Sequence, residues 1–593
     1  MSRTCRIFLL SLFVLGNTAL SAQVIITSTV VGTVTDPQGA MVPGAQVTLK
    51  NIDTGVERKE TTDAAGSYQF PNLMAGHYVV EINQAGFSRA VSTPISVENG
   101  TTRRVNVALK IGEIAETVQV SAAASLLPTD DANLSATINQ QFVNDLPIEG
   151  RNYLNLPQIL PHFNTGTGDS SRFAWSLAGS TMAGGAQVYN VGGTEYGVGY
   201  YIDGLNNNDN WMEGPVMNVN QDSIQEVKAD VSNYSAEYGR DVGQLNVTTK
   251  SGTNELHGTA YDVLQNSGMN ANNAWNNFQG IGRNPYHQNQ YGFTVGGPVV
   301  IPKLFNGKNK LFFFTSFEQL RNRGLNQYST YVPTDAERAG DWGEWLKRFP
   351  VNPGACDGSD TAPLNCRYVI YNPSTYDPAT GQRRPYANNI ITNPSSKALE
   401  YLTHFPKPNG YVSPDANNLD NYLVTTTSGL DANNYTVRAD YNLSSHDMIY
   451  FRYLHDSGHG VGGEGLVPDV WLGNGIRKTD TYQGHYVRTF SPTWTNELNL
   501  SWTYAHNTSL DPARVAAFGK SWLPGLFQNA AANPDGLTSQ DKSLLGINDD
   551  VVFGVNIGGT LGGASLGAGE YFYLDVPVFQ VSDKSSRFLA RTL

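Results

Sequence analysis

The feature that most constrains the fold of this chain is a period-two alternation of apolar and polar residues in segments that follow residue 258. In the clearest pair of segments, residues 435–453, one set of alternate side chains is apolar: Val437, Ala439, Tyr441, Ile449, Phe451 and Tyr453. The other set is polar and includes Thr436, Arg438, Asp440 and Arg452. Because successive side chains of a β-strand lie on opposite faces, each strand has one face suited to lipid and one suited to water.

Long polar stretches, such as residues 266–277 and 353–363, lack apolar periodicity and indicate loops. Alternating strands of about ten residues with long loops are typical of a transmembrane β-barrel. We therefore expect residues 256–593 to form the N-terminal part of an antiparallel barrel. A soluble β-sandwich, whose strands also alternate, is the alternative.

The composition favours a mainly β chain and excludes two classes of function. Only 15% of the residues are charged, whereas 60 are glycine and 30 are tyrosine. The net charge of −13 excludes a nucleic-acid partner, because phosphate binding needs an excess of Lys and Arg. Matches to catalytic and nucleotide-binding motifs at residues 563–567 and 460–465 lack the required strand-to-helix context. We expect no enzyme activity, no cofactor and no metal site, since the oxygen-rich residues 203–210 lack calcium-loop spacing.

The amino-terminal residues predict secretion. Arg3 and Arg6 precede a mostly apolar run, residues 7–20, and small residues follow it, as in a signal peptide covering residues 1–22. An uncleaved anchor is the alternative, although the run is shorter than the roughly 20 residues that span a bilayer. In an oxidising compartment Cys356 and Cys366 are a possible disulfide, with two unpaired thiols as the alternative.

Residues 23–110 have the pattern of a small β-sandwich with about seven strands. Turn signals separate short alternating runs: Ala45/Val47/Leu49, Tyr78/Val80/Ile82 and Val105/Val107/Leu109. The stretches GTVTDPQGAMVPGAQVTL and TTDAAGSYQFPNLMAGHYVVEI resemble the carboxypeptidase regulatory-like domain, which implies a prealbumin-like sandwich. No histidine begins the His-x-x-Glu of a zinc carboxypeptidase, so we expect a structural or partner-docking role.

Residues 222–258 resemble the junction between plug and barrel in TonB-dependent outer-membrane receptors. The most specific pieces are Ser235-Ala236-Glu237-Tyr238-Gly239 and Lys250-Ser251-Gly252-Thr253-Asn254. Residues 144–153 and 201–205 resemble the opening and the middle of the plug. The resemblance implies a small α/β plug over residues 129–255, in a receptor of the Oar-like kind that carries an additional amino-terminal sandwich.

The linker between sandwich and plug, residues 111–128, contains a heptad that resembles a TonB box. Its residues are Glu116, Thr117, Val118, Gln119, Val120, Ser121 and Ala122. A short β-prone run with nothing obvious to pair with suits strand addition to the exposed sheet edge of a partner, which the resemblance identifies as TonB. The alternative is a last strand of the preceding sandwich, or part of a linker.

As a whole, the resemblance implies a receptor in a Gram-negative outer membrane, in contact with its lipid, with the amino-terminal domain in the periplasm. Such a receptor binds an external ligand and is energised by TonB. The ligand class stays open among siderophores, oligosaccharides, peptides and proteins. Against the family's 22-stranded barrel, residues 256–593 supply about seven to nine strands. We therefore expect an incomplete barrel and a fragment that is not competent alone. A secreted β-sandwich adhesion or surface-binding protein is the alternative.

Overall fold

The computed structural model of the protein describes residues 27–112, 117–120, 135–160, 163–165, 189–191, 198–208, 214–231, 241, 243–348, 366, 368–403, 405–414, 420–460, 476–508, 555–556, 565–566 and 573–587. The described part is mainly β. It forms three bodies that follow one another along the chain: an amino-terminal sandwich, a mixed α/β inner unit and a large antiparallel sheet. The predicted mainly β fold class, with these three parts, is confirmed.

The sandwich contains nine consecutive strands rather than the expected seven: β1 (Ser28–Thr35), β2 (Gln46–Asn51), β3 (Glu57–Thr61), β4 (Ser67–Leu73), β5 (Gly76–Asn83), β6 (Arg89–Ser92), β7 (Ile95–Val97), β8 (Thr102–Arg104) and β9 (Val107–Ala108). One sheet has the order β4-β1-β8 with β9 also on β1, and the other contains β6-β5-β2-β3 with β7 on β5. The predicted apolar runs are buried between the sheets, as Val47, Val80 and Val107 illustrate. The longer strands β1 and β5 alternate because only one of their faces meets this core.

A tenth strand, β10 (Thr117–Val120), extends the second sheet of the sandwich. It pairs in parallel with β6, from Thr117 opposite Arg89 to Val120 opposite Ser92. The sheet order is therefore β10-β6-β5-β2-β3. The expectation that this run has nothing to pair with is wrong. Without β10, β6 would be an edge strand with unpaired backbone groups, and a β-prone run close by in the chain satisfies them.

The inner unit, residues 135–249, is a small α/β body. Its strands are β11 (Ser135–Asn139), β12 (Phe163–Thr165), β13 (Tyr189–Val191), β14 (Val198–Ile202), β15 (Leu205–Asn206), β16 (Ile224–Val231) and β17 (Gly243–Thr249), and its helical segments are Gln140–Asp145, Glu149–Arg151, Tyr153–Ile159 and Gln221–Ser223. The main sheet has the order β11-β16-β17-β14-β15. Buried apolar side chains, among them Val143, Leu154, Tyr200 and Val227, give the unit its own core.

The third body is one antiparallel sheet of eight strands, here named the wall sheet. Across the sheet the strands are β18 (His257–Asn266), β19 (Tyr286–Pro298), β22 (Leu311–Thr330), β23 (Tyr422–Asn442), β24 (Asp447–Gly460), β25 (Ile476–Ser491), β26 (Trp494–Thr508) and β29 (Tyr573–Arg587). Two separate short pairs are β20 (Val300–Ile301) with β21 (Phe305–Asn306), and β27 (Val555–Asn556) with β28 (Ser565–Leu566). Within the described residues β18 and β29 are the edges of an open sheet.

The two faces of the wall sheet differ as the alternation predicts. Val437 and Phe451 are 45% and 49% exposed on the outer face, whereas Arg438 and Arg452 are 1% and 0% exposed on the inner face. The strands are longer than expected, since β22 has 20 residues and β23 has 21. About ten residues of a tilted strand would suffice to cross a bilayer, so these strands exceed that length.

The two ends of the wall sheet carry different connections. At one end the turns are short, as at residues 443–446 between β23 and β24. At the other end residues 331–421 join β22 to β23 and contain the helical segments Asp335–Arg338, Gly343–Arg348, Pro373–Thr375, Ala387–Asn389 and Ser396–Thr403. The predicted loop at residues 266–277 contains the turns Ser267–Met269 and Ala274–Phe278. The predicted loop at residues 353–363 lies outside the described residues.

The wall sheet wraps around the inner unit. On β18 the hydroxyl of Tyr261 accepts a hydrogen bond from the Asn220 side chain over 2.9 Å. On β29 the side chain of Gln580 donates to the Asn206 carbonyl over 3.1 Å. Because one compact unit contacts both edge strands through their inner faces, the sheet must curve around it.

The sandwich lies at the short-turn end of the wall sheet. The Asn254 N–H, just before β18, donates to the Asp53 carbonyl over 2.9 Å. The Thr27 hydroxyl donates to Oε1 of Glu497 on β26 over 2.5 Å. The sandwich is therefore attached to the wall at two separated strands.

Candidate functional site: charged contacts that hold the inner unit

The site is built around Asp203, in the turn between β14 and β15. Asp203 and Gly204 form a two-residue hairpin turn with φ values of 44° and 77°. Asp and Gly tolerate this left-handed region, which such turns require. The Asp203 N–H donates to the Val247 carbonyl over 2.9 Å, and the residue is buried. The turn thereby holds a carboxylate at the surface that faces the wall sheet.

Two arginines of the wall sheet approach this carboxylate. Arg452 on β24 donates to Oδ2 of Asp203, and Nη1 of Arg438 on β23 lies 3.6 Å from the same oxygen. From the inner unit, the Thr249 N–H donates to Oδ1 over 2.8 Å and its hydroxyl donates to Oδ2. Asp203 therefore accepts hydrogen bonds from both bodies.

A second carboxylate and an aromatic ring hold Arg438. Its Nη2 donates to Oδ1 of Asp440 over 2.8 Å, and its guanidinium carbon lies 4.4 Å from the centre of the Tyr450 ring. Its Nη1 also donates to the Thr249 carbonyl over 3.2 Å. Arg438 therefore connects the wall sheet directly to the end of β17.

The charges of this group, here named the Asp203 cluster (Asp203, Asp440, Arg438 and Arg452), balance one another. No member is more than 7% exposed. Removing one partner from a buried set of this kind leaves an unpaired charge and costs about 3–5 kcal/mol. If the two bodies separate into water, every charge is solvated instead. The cluster thus fixes the position of the inner unit against the wall sheet, and its charges are satisfied only while all four partners are present.

A second charged contact joins the inner unit to the other side of the wall sheet. Arg151 donates to Asp222 within the inner unit, and its Nε lies 3.5 Å from Oε2 of Glu318 on β22. Its guanidinium lies 4.4 Å from the centre of the Tyr261 ring, whose hydroxyl donates to Glu318 over 2.7 Å. Two arginine-centred contacts therefore attach the inner unit at separate places.

Polar groups also line the interface between these contacts. The Asn218 N–H donates to Asp456 on β24 over 2.9 Å, and the Asn434 side chain donates to the Asn218 carbonyl over 2.8 Å. Leu454 of β24 packs on the apolar core of the inner unit. Water can solvate the groups of a largely polar interface when its two sides separate, whereas exposing an apolar core to water is unfavourable.

The sandwich attaches to the inner unit through Asn99, between β7 and β8. Its N–H donates to Oε1 of Glu226 over 2.8 Å, and its side-chain amide donates to the Thr248 hydroxyl. Burial raises the pKa of Glu226 to about 7, and the neighbouring Glu98 carboxylate adds to this. The Asn99 N–H and Lys228 oppose the shift because they favour the charged carboxylate.

The residues predicted to bind TonB are placed in part. Thr117, Val118, Gln119 and Val120 form β10, in which Gln119 is exposed and Val118 is half-buried. Glu116, Ser121 and Ala122 lie outside the described residues. Their role as a partner-binding strand stays a prediction.

The remaining sequence-based sites are also partly placed. Cys366 is buried and disulfide-bonded. Cys356 lies outside the described residues, as does the predicted signal peptide at residues 1–22, so the pairing with Cys356 stays a prediction. In the described part of the chain, no group of three or more His, Cys, Asp or Glu could hold a metal ion. No helix among these residues is long and apolar enough to cross a membrane.

Sequence reasoning placed Arg438 and Arg452 on the inner face correctly but missed their partner. For the oxygen-rich run that begins at Asp203, the sequence indicates only a turn or a calcium loop. One signal was available, because Arg438 and Arg452 lie directly opposite each other in the β23–β24 hairpin. Like charges opposite each other destabilise a strand pair, so this pair of arginines indicates that carboxylates lie nearby.

A family model described as an outer membrane beta barrel domain matches residues 248–564, more than half of the chain. The chain belongs to the outer-membrane β-barrel family. This barrel protein is therefore located in the outer membrane and is not an enzyme, and the alternative of a secreted adhesion protein is set aside. A second model, the carboxypeptidase regulatory-like domain, matches residues 29–110 and confirms the sandwich.

The barrel protein is similar to known transporters and receptors. It shares 27% identity over 338 residues with the TonB-dependent transporter Oar of Myxococcus xanthus, covering 54% of this chain and 29% of that protein. The siderophore receptor PirA from Acinetobacter baumannii is 12% identical, with 63% of this chain and 40% of that chain covered and a TM-score of 0.33. The outer membrane transporter YddB from Escherichia coli is 9% identical, with 63% and 39% covered and a TM-score of 0.36. The chain thus spans less than a third of the curated relative.

Proposed function

We propose that this barrel protein is a TonB-dependent outer-membrane receptor in which the inner unit is the plug. The Asp203 cluster is the observation that carries the proposal. A compact body lies against the inner face of a curved membrane wall, and buried but balanced charges attach it to that wall. The similarity to the transporter Oar and the plug-like motifs of residues 222–258 support the same conclusion.

In this proposal an external ligand binds at the long-connection end of the wall sheet. Two side chains there, Trp275 and Phe278, are 58% and 55% exposed and lie on the connection between β18 and β19. The ligand is an external molecule whose class the loops select. TonB then binds the heptad 116–122 in the periplasm, and its pull opens the polar contacts of the plug so that water enters between plug and wall.

Photo-crosslinking in cells tests the proposal. A photoreactive amino acid replaces Gln119, which is exposed on β10. We expect an adduct with TonB, and we expect Val118→Pro to reduce its yield because proline disfavours a regular strand at this position. The matched control places the same photoreactive group at Glu57 on β3, the opposite edge of the same sheet.

Three results of this experiment are informative. An adduct from position 119 and none from position 57 would support TonB binding at the heptad. Equal adducts from both positions would indicate unspecific edge contact. No adduct from position 119, in cells where another TonB-dependent receptor does crosslink, would contradict the proposed function.

A further inference from the structure

The strand that carries part of the predicted TonB box is paired within the sandwich sheet. All four residues of β10 pair with β6, and Val118 is half-buried on the face that β6 directs to the core through Ala90. The chain approaches this position alongside the sandwich, since the Ser88 N–H donates to the Lys110 carbonyl over 2.9 Å and Ile111 bridges to Phe87. Release of β10 would break these pairs and expose the edge of β6.

Within the described residues, the other edge of β10 has no neighbouring strand. Among the described residues β10 is the terminal strand of its sheet, so its backbone groups on the side away from β6 have no strand partner there. A terminal strand of this kind is a template for strand addition. Addition to this edge requires no separation of β10 from β6.

Resting on the proposed function, we propose that TonB adds its strand to β10 while β10 stays paired with β6. TonB then pulls on the whole sandwich rather than on a free peptide. The sandwich is in this way the coupling element between TonB and the plug.

The contacts of the sandwich lead from β10 towards the Asp203 cluster. Asn99 binds Glu226 and Thr248, which face each other in the β16–β17 pair. The next residue, Thr249, donates to Asp203 and accepts from Arg438. A displacement of the sandwich therefore acts one residue away from the charged attachment of the plug.

The space beneath the sandwich has room for this opening. A cavity of about 130 Å³ lies where the three bodies meet, and its lining includes Tyr78 of the sandwich, Thr249 of the inner unit and Arg438 of the wall. When the sandwich moves away, water that enters this cavity reaches the Asp203 cluster directly. Solvation of the charges then replaces the pairing that is lost.

A tether between β6 and β10 tests the docking step. Val91 and Gln119 face each other across this pair, so the full chain carrying Val91→Cys and Gln119→Cys is joined by a disulfide or a short bifunctional crosslinker. The probe is the purified periplasmic domain of TonB, and its affinity for the tethered and the reduced protein is compared. The two single cysteine variants are the matched controls.

We expect the tethered protein to bind the TonB domain within about threefold of the reduced protein, because β10 need not leave the sandwich. A loss of tenfold or more on tethering, restored by reductant, would overturn the proposal and would mean that β10 must be released. Val118→Pro separates this outcome from failure of the proposed function. If Val118→Pro binds like the wild type, TonB does not use this strand, and both proposals fail.

Force measurements test the coupling step. The full chain is held in a supported bilayer and pulled through a cysteine at position 119, while loosening of the plug is followed by the accessibility of a thiol at Gln225→Cys, which lines the cavity beneath the sandwich. In the Asn99→Ala variant we expect the sandwich to detach at a lower force than in the wild type. We also expect the increase in thiol labelling under force to be at least twofold smaller than in the wild type. The matched control is Asn106→Ala, whose side chain accepts only from Thr33 within the sandwich. Equal labelling in the Asn99 and Asn106 variants would reject coupling through Asn99.

Discussion

The substitution Asp203→Asn tests the attachment of the inner unit most directly. It removes one negative charge from a cluster in which two arginines and two aspartates balance, and it leaves Arg452 without its carboxylate partner. Asparagine keeps an oxygen that can accept from the Thr249 N–H, so part of the hydrogen bonding survives. We therefore expect Asp203→Asn to destabilise the attachment of the inner unit by about 3 kcal/mol, the lower end of the range for breaking a buried ion pair.

Hydrogen exchange measured by mass spectrometry in detergent micelles reports this loss. The relevant amides are those of β14 and β17, which flank Asp203 in the inner unit. A decrease of about 3 kcal/mol in the free energy of opening corresponds to about 150-fold faster exchange, since each 1.36 kcal/mol is tenfold. The control is Asp262→Asn, an exposed carboxylate on β18, for which we expect a change of about 0.5 kcal/mol or less.

The double variant Asp203→Asn with Arg452→Gln completes a thermodynamic cycle. If the two groups are coupled as the structure indicates, the double variant loses clearly less than the sum of the single losses. The reasoning is refuted if Asp203→Asn accelerates exchange less than tenfold, or if the two losses simply add.

Three further predictions concern other parts of the molecule. Because burial raises the pKa of Glu226 to about 7, its protonated form stabilises the fold; this contribution is complete below about pH 4 and is lost as the pH rises through 7. Hydrogen exchange of the β16 amides, corrected for intrinsic rates, should therefore accelerate in the wild type as the pH rises from 4 to 7. It should not accelerate in Glu226→Gln, and the same dependence on pH in both proteins would contradict this prediction. Phe451→Arg on the outer face should destabilise the protein in lipid by about 2–4 kcal/mol, measured by urea unfolding against Phe451→Ala; a loss no larger than that of alanine would argue against lipid contact. Peptide mapping without reductant should find Cys366 linked to Cys356, and a link to Cys5 would disprove the predicted pairing.

Much of the fold could be predicted because strand periodicity is a local property. The apolar face of β23 and β24 and the buried faces of the sandwich follow from alternate residues within a few positions of one another. Pairing partners are not local in this sense. The same β-prone residues 117–120 suit an edge strand of the sandwich and a free peptide equally well. Only the position of β6 in three dimensions decides between these two interpretations.

The amino-acid sequence by itself determined that the chain is mainly β, that residues 23–110 have the pattern of a sandwich, and that the strands after residue 258 have one face for lipid and one for water. The tertiary structure alone decided that Asp203 meets Arg438 and Arg452, residues more than 200 positions away. Periodicity specifies which way a side chain points, because that depends on neighbouring backbone angles. The partner that neutralises a buried charge depends on which distant segments meet, and burial then makes that partner obligatory.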